Sequence, residues 1–249
     1  MCLILSAIET KNSGNGNPYR MIIAANRDEF YARPSREAVF WPENPEILGG
    51  QDLSMGGTWL GITRSGRFAA VTNFRETPIH PAPPRSRGDL TTGFLTSTIP
   101  AQSYLEEIQS RGDEYRGFNL ILGDNQGFYY LSNRQPDIIN LPPGYYGLSN
   151  QLLNCDWPKV IEGRRQLHNL VVNKDENTDE LIDSLFYLLS DKGDGRAFSN
   201  SFIESVEYGT RAKTVVLWHW DGSLYFEERS FKKNGEPGPV KRHDFRVTV

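Results

Sequence analysis

Cysteine is nearly absent from this chain of 249 residues: there are two, Cys2 and Cys155, and no Cys-x-x-Cys pair. Two cysteines cannot build a disulfide framework, which points to a reducing compartment. Histidine is also sparse, and His80, His168, His219 and His243 are scattered without metal-ligand spacing. No stretch approaches the roughly 20 apolar residues that a membrane helix needs. The short apolar run after Met1 lacks the positively charged leader of a secretory signal. Positive charge is not in excess either. Lys and Arg number 27 against 31 Asp and Glu, a formal net charge of -4, so there is no global attraction to nucleic acid or anionic membrane. The expectation is a cytoplasmic protein with no integral membrane segment, no nucleic-acid partner and no metal.

What is present suffices for a core: 38% of residues are hydrophobic and 23% charged, which excludes general disorder. No repeat, heptad or linker divides the chain, so residues 1–249 read as a single domain. Apolar runs at 2–8 and 19–26 flank a Gly- and Asn-rich turn cluster at 11–18 and predict a hairpin starting at the first residues. Residues 33–57, rich in Pro, Gly and Asn, read as a long ordered loop, with Trp41 available to line an apolar pocket. Further hairpins are expected over 58–63 with 68–74, over 118–123 with 128–133, and over 214–220 with 223–231 around Asp221-Gly222. A strand is expected at 145–149. The four prolines of 78–84 cannot sit inside a sheet. Helices are expected at 89–98, 101–110 and 157–172, and most clearly over 178–189, where Leu181, Ile182, Leu185, Phe186, Leu188 and Leu189 form one stripe. Hairpins alternating with helical blocks imply antiparallel sheets with segregated helices, an α+β class.

The residue with most chemical potential is Cys2. Initiator Met is generally removed before a small residue, and its loss would leave a thiol and a free α-amine on one residue. An α-amine titrates near 7.7–8.0 and can serve as the thiol's own base. The same position also suits a small apolar residue opening a buried strand. Asn26-Arg27-Asp28-Glu29 closes the second expected strand, and the hairpin would return it beside Cys2. There a carboxylate could hold the terminal ammonium and a guanidinium could lower the thiol pKa. An ordinary polar turn is the plainer alternative. Asn73 and Asn150 each end an expected strand, where Asn supplies either an oxyanion donor or turn chemistry. Arg211 precedes a strongly apolar strand and could bind a carboxylate or sit at the surface. Arg85 and Arg87, after the proline run, could hold an anionic headgroup or simply be solvated.

Taken together, Met1-Cys2, the stretch Ala24-Ala-Asn-Arg-Asp-Glu-Phe-Tyr-Ala-Arg-Pro34, Gly56-Gly-Thr-Trp-Leu-Gly61, Gly117-Phe-Asn-Leu-Ile121, Tyr146-Gly-Leu-Ser-Asn150, Tyr208-Gly-Thr-Arg211 and Glu228-Arg-Ser230 resemble the NRDE family. That family includes the transport and Golgi organization protein 2 homologues. It looks like a branch of the N-terminal nucleophile (Ntn) hydrolases, close to the penicillin V acylase and bile-salt hydrolase group. The resemblance implies a four-layer αββα sandwich of two antiparallel sheets. It implies Cys2 as nucleophile, Asp28 beside its amine, Asn73 and Asn150 near the oxyanion and Arg211 as electrostatic partner, with Asn26, Arg27, Glu29, Arg85 and Arg87 as site-lining candidates. The acylase group places an arginine three residues before the aspartate, where this chain has Ala25. Strand alternation points Arg27 and Asp28 to opposite faces. The implied activity is hydrolysis of a non-peptide carbon–nitrogen bond in a small or acylated substrate, with no required cofactor. The alternative is a non-catalytic carrier of haem, acyl-lipid or acyl-CoA on the same fold. The oligomeric state is not legible.

Overall fold

A computed structural model describes residues 1–9, 17–76, 85–172 and 177–248. The proline run at 78–84 and most of the 11–18 turn cluster lie outside the described residues. In chain order the strands are β1 (Leu3–Ile8), β2 (Tyr19–Phe30), β3 (Ser35–Trp41), β4 (Asn44–Asp52), β5 (Leu60–Thr63) and β6 (Phe68–Asn73). Helices α1 (Gly88–Thr96) and α2 (Ala101–Gln109) follow, then β7 (Phe118–Gly123), β8 (Phe128–Ser132), β9 (Ile139–Asn140) and β10 (Gly144–Leu148). Helices α3 (Pro158–Val172) and α4 (Thr178–Leu188) precede β11 (Tyr208–His219), β12 (Ser223–Phe231) and β13 (Pro237–Arg246). No helix among the described residues is long and apolar enough to cross a membrane.

The chain forms two compact units. The first comprises Met1–Ala32, Pro142–Ser149 and Leu153–Arg246, and the second is built chiefly from Arg33–Leu141 with Asn150–Leu152. The first unit carries an antiparallel sheet of strand order β10-β1-β2-β11-β12-β13. Period-2 alternation sends Leu3, Leu5 and Ala7 of β1, Ile22 and Ala24 of β2, and Val215 and Leu217 of β11 into one core. Val160 and Leu167 of α3 and Leu181, Leu185 and Phe186 of α4 pack into the same core. Each such side chain contributes roughly 1.5–3 kcal/mol on burial. Helix α4 starts sharply because Asn177 accepts from the Glu180 amide at 3.0 Å while the Glu180 carboxylate accepts from the Asn177 amide at 3.1 Å. This capping box satisfies two otherwise orphaned donors.

The second unit carries the sheet β3-β4-β5-β6-β7-β8-β9. Its core joins Ala69, Leu120, Leu122 and Leu131 from the strands to Leu90 and Phe94 of α1 and Leu105 and Ile108 of α2. The expected loop at 33–57 is corrected here: β3 and β4 form an irregular hairpin with register shifts between Arg36 and Val39 and between Phe40 and Trp41. Gly49 and Gly50 mark close approach and not a loop. A Cβ on Gly49 would lie 2.6 Å from the Leu60 carbonyl oxygen, and one on Gly50 would lie 2.2 Å from the Trp59 ring. Trp41 is core, 3% exposed, and its Nε1 donates to the Gly49 carbonyl at 2.9 Å. Strands β9 and β13 had no apolar alternation to announce them.

Lys213 on β11 shows what this packing costs a charge. It is buried at 6% exposure, its Nζ donates to Ser190 Oγ at 2.5 Å, and the ammonium lies over Phe202 and Phe231 at 4.5 and 5.0 Å. Burial, aided by Arg229 and Lys192, lowers its pKa to about 8. The unfolded chain holds a lysine proton to about pH 10.4, so from about pH 8 to 10 the unfolded state binds more protons and stability rises with pH. The expected gain between pH 7.5 and 9.5 is about 2 kcal/mol. Lys213→Met should lose that increment in urea denaturation at the two pH values, and an equal gain in the variant would contradict the assignment.

Candidate active site at the start of the first strand

Sheet register places the start of the chain beside the Asn-Arg-Asp-Glu motif. Leu3 pairs with Asn26, and Thr210 of β11 pairs with Asp28 from the other side of β2. Extending the β1 register past Leu3 sets Cys2 and Met1 beside Arg27 and Asp28. The motif lies within β2 and does not close it, since that strand continues to Phe30.

The Asp28 side chain is fully buried, and its Oδ2 lies 3.2 Å from the Met1 ammonium. Its Oδ1 accepts from Thr210 Oγ1 at 2.6 Å. Burial raises the Asp28 pKa, while the ammonium and the Thr210 hydrogen bond pull it down. The ammonium also donates to the Tyr208 hydroxyl, which donates to the Asp28 carbonyl at 3.0 Å. Burial pushes that phenol far above its ordinary value, keeping it neutral. In this network the group that Asp28 holds is the ammonium of Met1.

The Cys2 thiol is free, and its Sγ donates to the Asp28 carbonyl at 3.8 Å. Burial raises its pKa; the terminal ammonium opposes this, the Asp28 charge adds to it, and Arg27 lowers it slightly. The resting group is thus a thiol and not a thiolate. The backbone around it is gripped from two elements. Ser149 Oγ donates to the Cys2 carbonyl at 2.6 Å, and Lys159 Nζ of α3 donates to the Met1 carbonyl at 3.1 Å and lies 3.5 Å from that of Cys2. Gly209 lets Tyr208 and Thr210 flank Asp28. A Cβ there would meet the Tyr31 hydroxyl at 2.1 Å and the Ile203 carbonyl at 2.7 Å.

The structure therefore brings Cys2, Asp28 and the charge of Arg27 together. Asn26 is turned elsewhere: its Nδ2 donates to the carbonyls of Leu189 and Ser201 at 2.9 and 2.7 Å, tying the end of α4 to β2. The Glu29 carboxylate accepts from the Phe30 amide at 2.8 Å. Arg211 is the extra residue of a β-bulge between Thr210 and Ala212, and its Nη1 donates to the carbonyls of Phe30 and Tyr31 at 3.1 and 3.2 Å. In the second unit, Asn150 Nδ2 donates to the Asn73 carbonyl at 2.7 Å, so these two are neighbours. Arg85 pairs with Glu114 at 2.6 Å, and Arg87 Nη1 donates to the Gly117 carbonyl at 3.1 Å.

Residues 1–233, the whole of this arrangement, match the family described as Transport and Golgi organisation 2. The chain belongs to that family. A human homologue of the Transport and Golgi organization protein 2 is 38% identical over 92% of this chain and 93% of its own. The Drosophila melanogaster Transport and Golgi organization protein 2 is 28% identical over 92% of each. Among solved structures, a Caenorhabditis elegans N-acylethanolamine-hydrolyzing acid amidase ortholog superposes with a TM-score of 0.54, at 13% identity, covering 87% of this chain and 92% of that one. The C2A mutant of conjugated bile acid hydrolase from Clostridium perfringens gives 0.51 at 11% identity, covering 100% and 98%. The fold of this Transport and Golgi organisation 2 member is thus Ntn-hydrolase-like, with two antiparallel sheets and four helices.

Sequence reasoning passed over Lys159, Thr210, Tyr208 and Ser149. One signal was available for Lys159: a cation in the first turn of a helix opposes the helix dipole and calls for a compensating partner.

Proposed function

We propose that the chain is a cytoplasmic, cysteine-dependent amidohydrolase acting on a carbon–nitrogen bond of a small or acylated substrate once Met1 has been removed. One observation carries the reading: the buried Asp28 carboxylate lies 3.2 Å from the terminal ammonium while the Cys2 thiol hangs on the Asp28 carbonyl. With Met1 gone, amine and thiol share one residue. The amine takes the thiol proton, Sγ attacks the carbonyl carbon, and a C–S bond forms. The proton passes to the leaving nitrogen as the C–N bond breaks. Water then hydrolyses the thioester to a carboxylic acid and restores the thiol. Oxyanion roles for Asn73 and Asn150 stand on the family resemblance alone; within the second unit Asn150 gives one N–H to the Asn73 carbonyl and keeps a second. Arg211 acts by charge.

The test is the intact mass of the purified protein before and after incubation with N-acylated amides. The expected result is loss of Met1, release of the free amine product and a transient acyl adduct on Cys2. Retained Met1, or an absence of both adduct and turnover, would overturn the reading.

A carrier function has one observation in its favour: a groove of about 510 Å³ between α3 and α4, lined in part by Leu170, Tyr187 and Leu188, within the size range of ligand pockets. Among the described histidines, His219 packs on Tyr19 and His168 on Tyr145, ring centroids 4.3 and 4.7 Å apart. Saturable acyl-lipid or acyl-CoA binding without turnover, unchanged in Cys2→Ala, would establish the carrier.

A further inference from the structure

Lys159 is among the largest fully buried side chains of the molecule, at 1% exposure. A lone ammonium in such a place costs several kcal/mol unless opposite charge and acceptors surround it. Its acceptors are the Met1 carbonyl at 3.1 Å, which leaves with Met1, and the Cys2 carbonyl at 3.5 Å, which stays. The charged or titratable groups acting on it are Asp28 of β2, Cys2 at the head of β1, and Cys155 just before α3. The terminal ammonium and Arg27 act on the same thiol, and Tyr208 of β11 faces it. Burial lowers the lysine pKa, and Asp28 and Cys2 pull it back up. Negative charge reaches this cation from the Asp28 carboxylate and, when they ionise, from the Cys2 and Cys155 thiols.

We propose that Lys159 is a positioning residue for the Cys2 nucleophile, its ammonium fixing the residue-2 backbone and supplying the buried positive charge that favours thiolate over thiol. This rests on the hydrolase reading: the Lys159 ammonium and a Cys2 thiolate favour each other's charged form, with the terminal ammonium and Arg27 the other cations acting on the thiol.

The experiment measures the iodoacetamide alkylation rate of Cys2 from pH 6 to 10 in the full chain, with the urea-unfolded chain as reference and peptide mass as readout. The variants are Lys159→Met and Lys159→Arg, each checked for cooperative thermal unfolding. In Lys159→Met, the midpoint of the Cys2 profile should move up by about one pH unit, a roughly tenfold slower reaction near neutrality, with the unfolded-chain profile unmoved; Cys155, on which the lysine also acts, should move in the same direction. Lys159→Arg should keep most of the wild-type profile. A folded Lys159→Met with an unchanged Cys2 profile overturns the proposal. If Lys159→Met does not fold, Lys159→Gln against Lys159→Arg decides it: equal profiles reject the role and a shift confined to Gln supports it. The profile is read without any substrate. A failure of amide turnover would therefore leave the shift measurable, and a missing shift in a chain that hydrolyses amides would sink the lysine's role alone.

Discussion

Cys2→Ala is expected to abolish turnover of any amide that the wild-type chain cleaves, lowering kcat by about 10³-fold or more, as removal of a nucleophile does in covalent hydrolases. Fold and terminal amine survive in this variant. The side chain is small and half-buried, its weak hydrogen bond to Asp28 spans 3.8 Å, and the stability change should stay within about 1 kcal/mol. Cys2→Ser keeps a nucleophilic atom of the wrong reactivity and should fall between the two, with an ester in place of a thioester intermediate. Initial rates at matched concentration and unfolding curves on the same samples separate chemistry from folding. A folded Cys2→Ala retaining a tenth of the wild-type rate would place the reaction elsewhere.

Asp28→Ala is expected to be the most damaging single change to stability at this site, about 3 kcal/mol by denaturant unfolding. The reasoning is one of stranded partners. Thr210 Oγ1 loses its acceptor, the terminal ammonium loses its ion pair, and the buried Lys159 loses the carboxylate that holds its proton in place. Removing one member of a buried charged set costs about 3–5 kcal/mol because the survivor stays unpaired. The terminal ammonium is partly solvated, which places this case at the lower end. Combining Asp28→Ala with Lys159→Met should recover part of the loss, since the second change removes the stranded cation. Strict additivity of the two losses would show that the carboxylate and the lysine do not interact.

Much of this arrangement can be traced in the sequence, for identifiable reasons. The hairpin of β1 and β2 follows from two apolar runs, and register alone carries Asp28 back to Cys2. Helix α4 follows from its stripe, and the β11–β12 turn from Asp221-Gly222, where Gly222 adopts φ +90°. Each of these is a local signal. The hairpin of β3 and β4 does not show in the sequence because Gly49 and Gly50 answer to neighbours, the Leu60 carbonyl and Trp59, that no turn rule includes. Asn26 looked like a site residue by its place in the motif, yet its amide ties down Leu189 and Ser201, more than 160 positions away. Lys159 gives only the weak signal of a cation in a first helical turn. A lysine at a helix start reads as solvent-exposed, and only the packing of α3 against β1 and β10 shows that it points inward.

The strand order of the first sheet bears on how the chain is made. Strand β2 is bonded on one side to β1, within the first 30 residues, and on the other to β11, which begins at Tyr208. The intervening Arg33–Leu141 block completes a sheet whose strands pair in sequence order. That block can therefore mature on the ribosome while the apolar β1–β2 hairpin waits, its inner edge bare, for strands still to be translated. Such long-range closure is slow and leaves sticky edges in the interim. Nascent chains stalled before about residue 208 should consequently bind chaperones through that first hairpin, and the cluster of Cys2, Asp28 and Thr210 should be among the last parts to take shape.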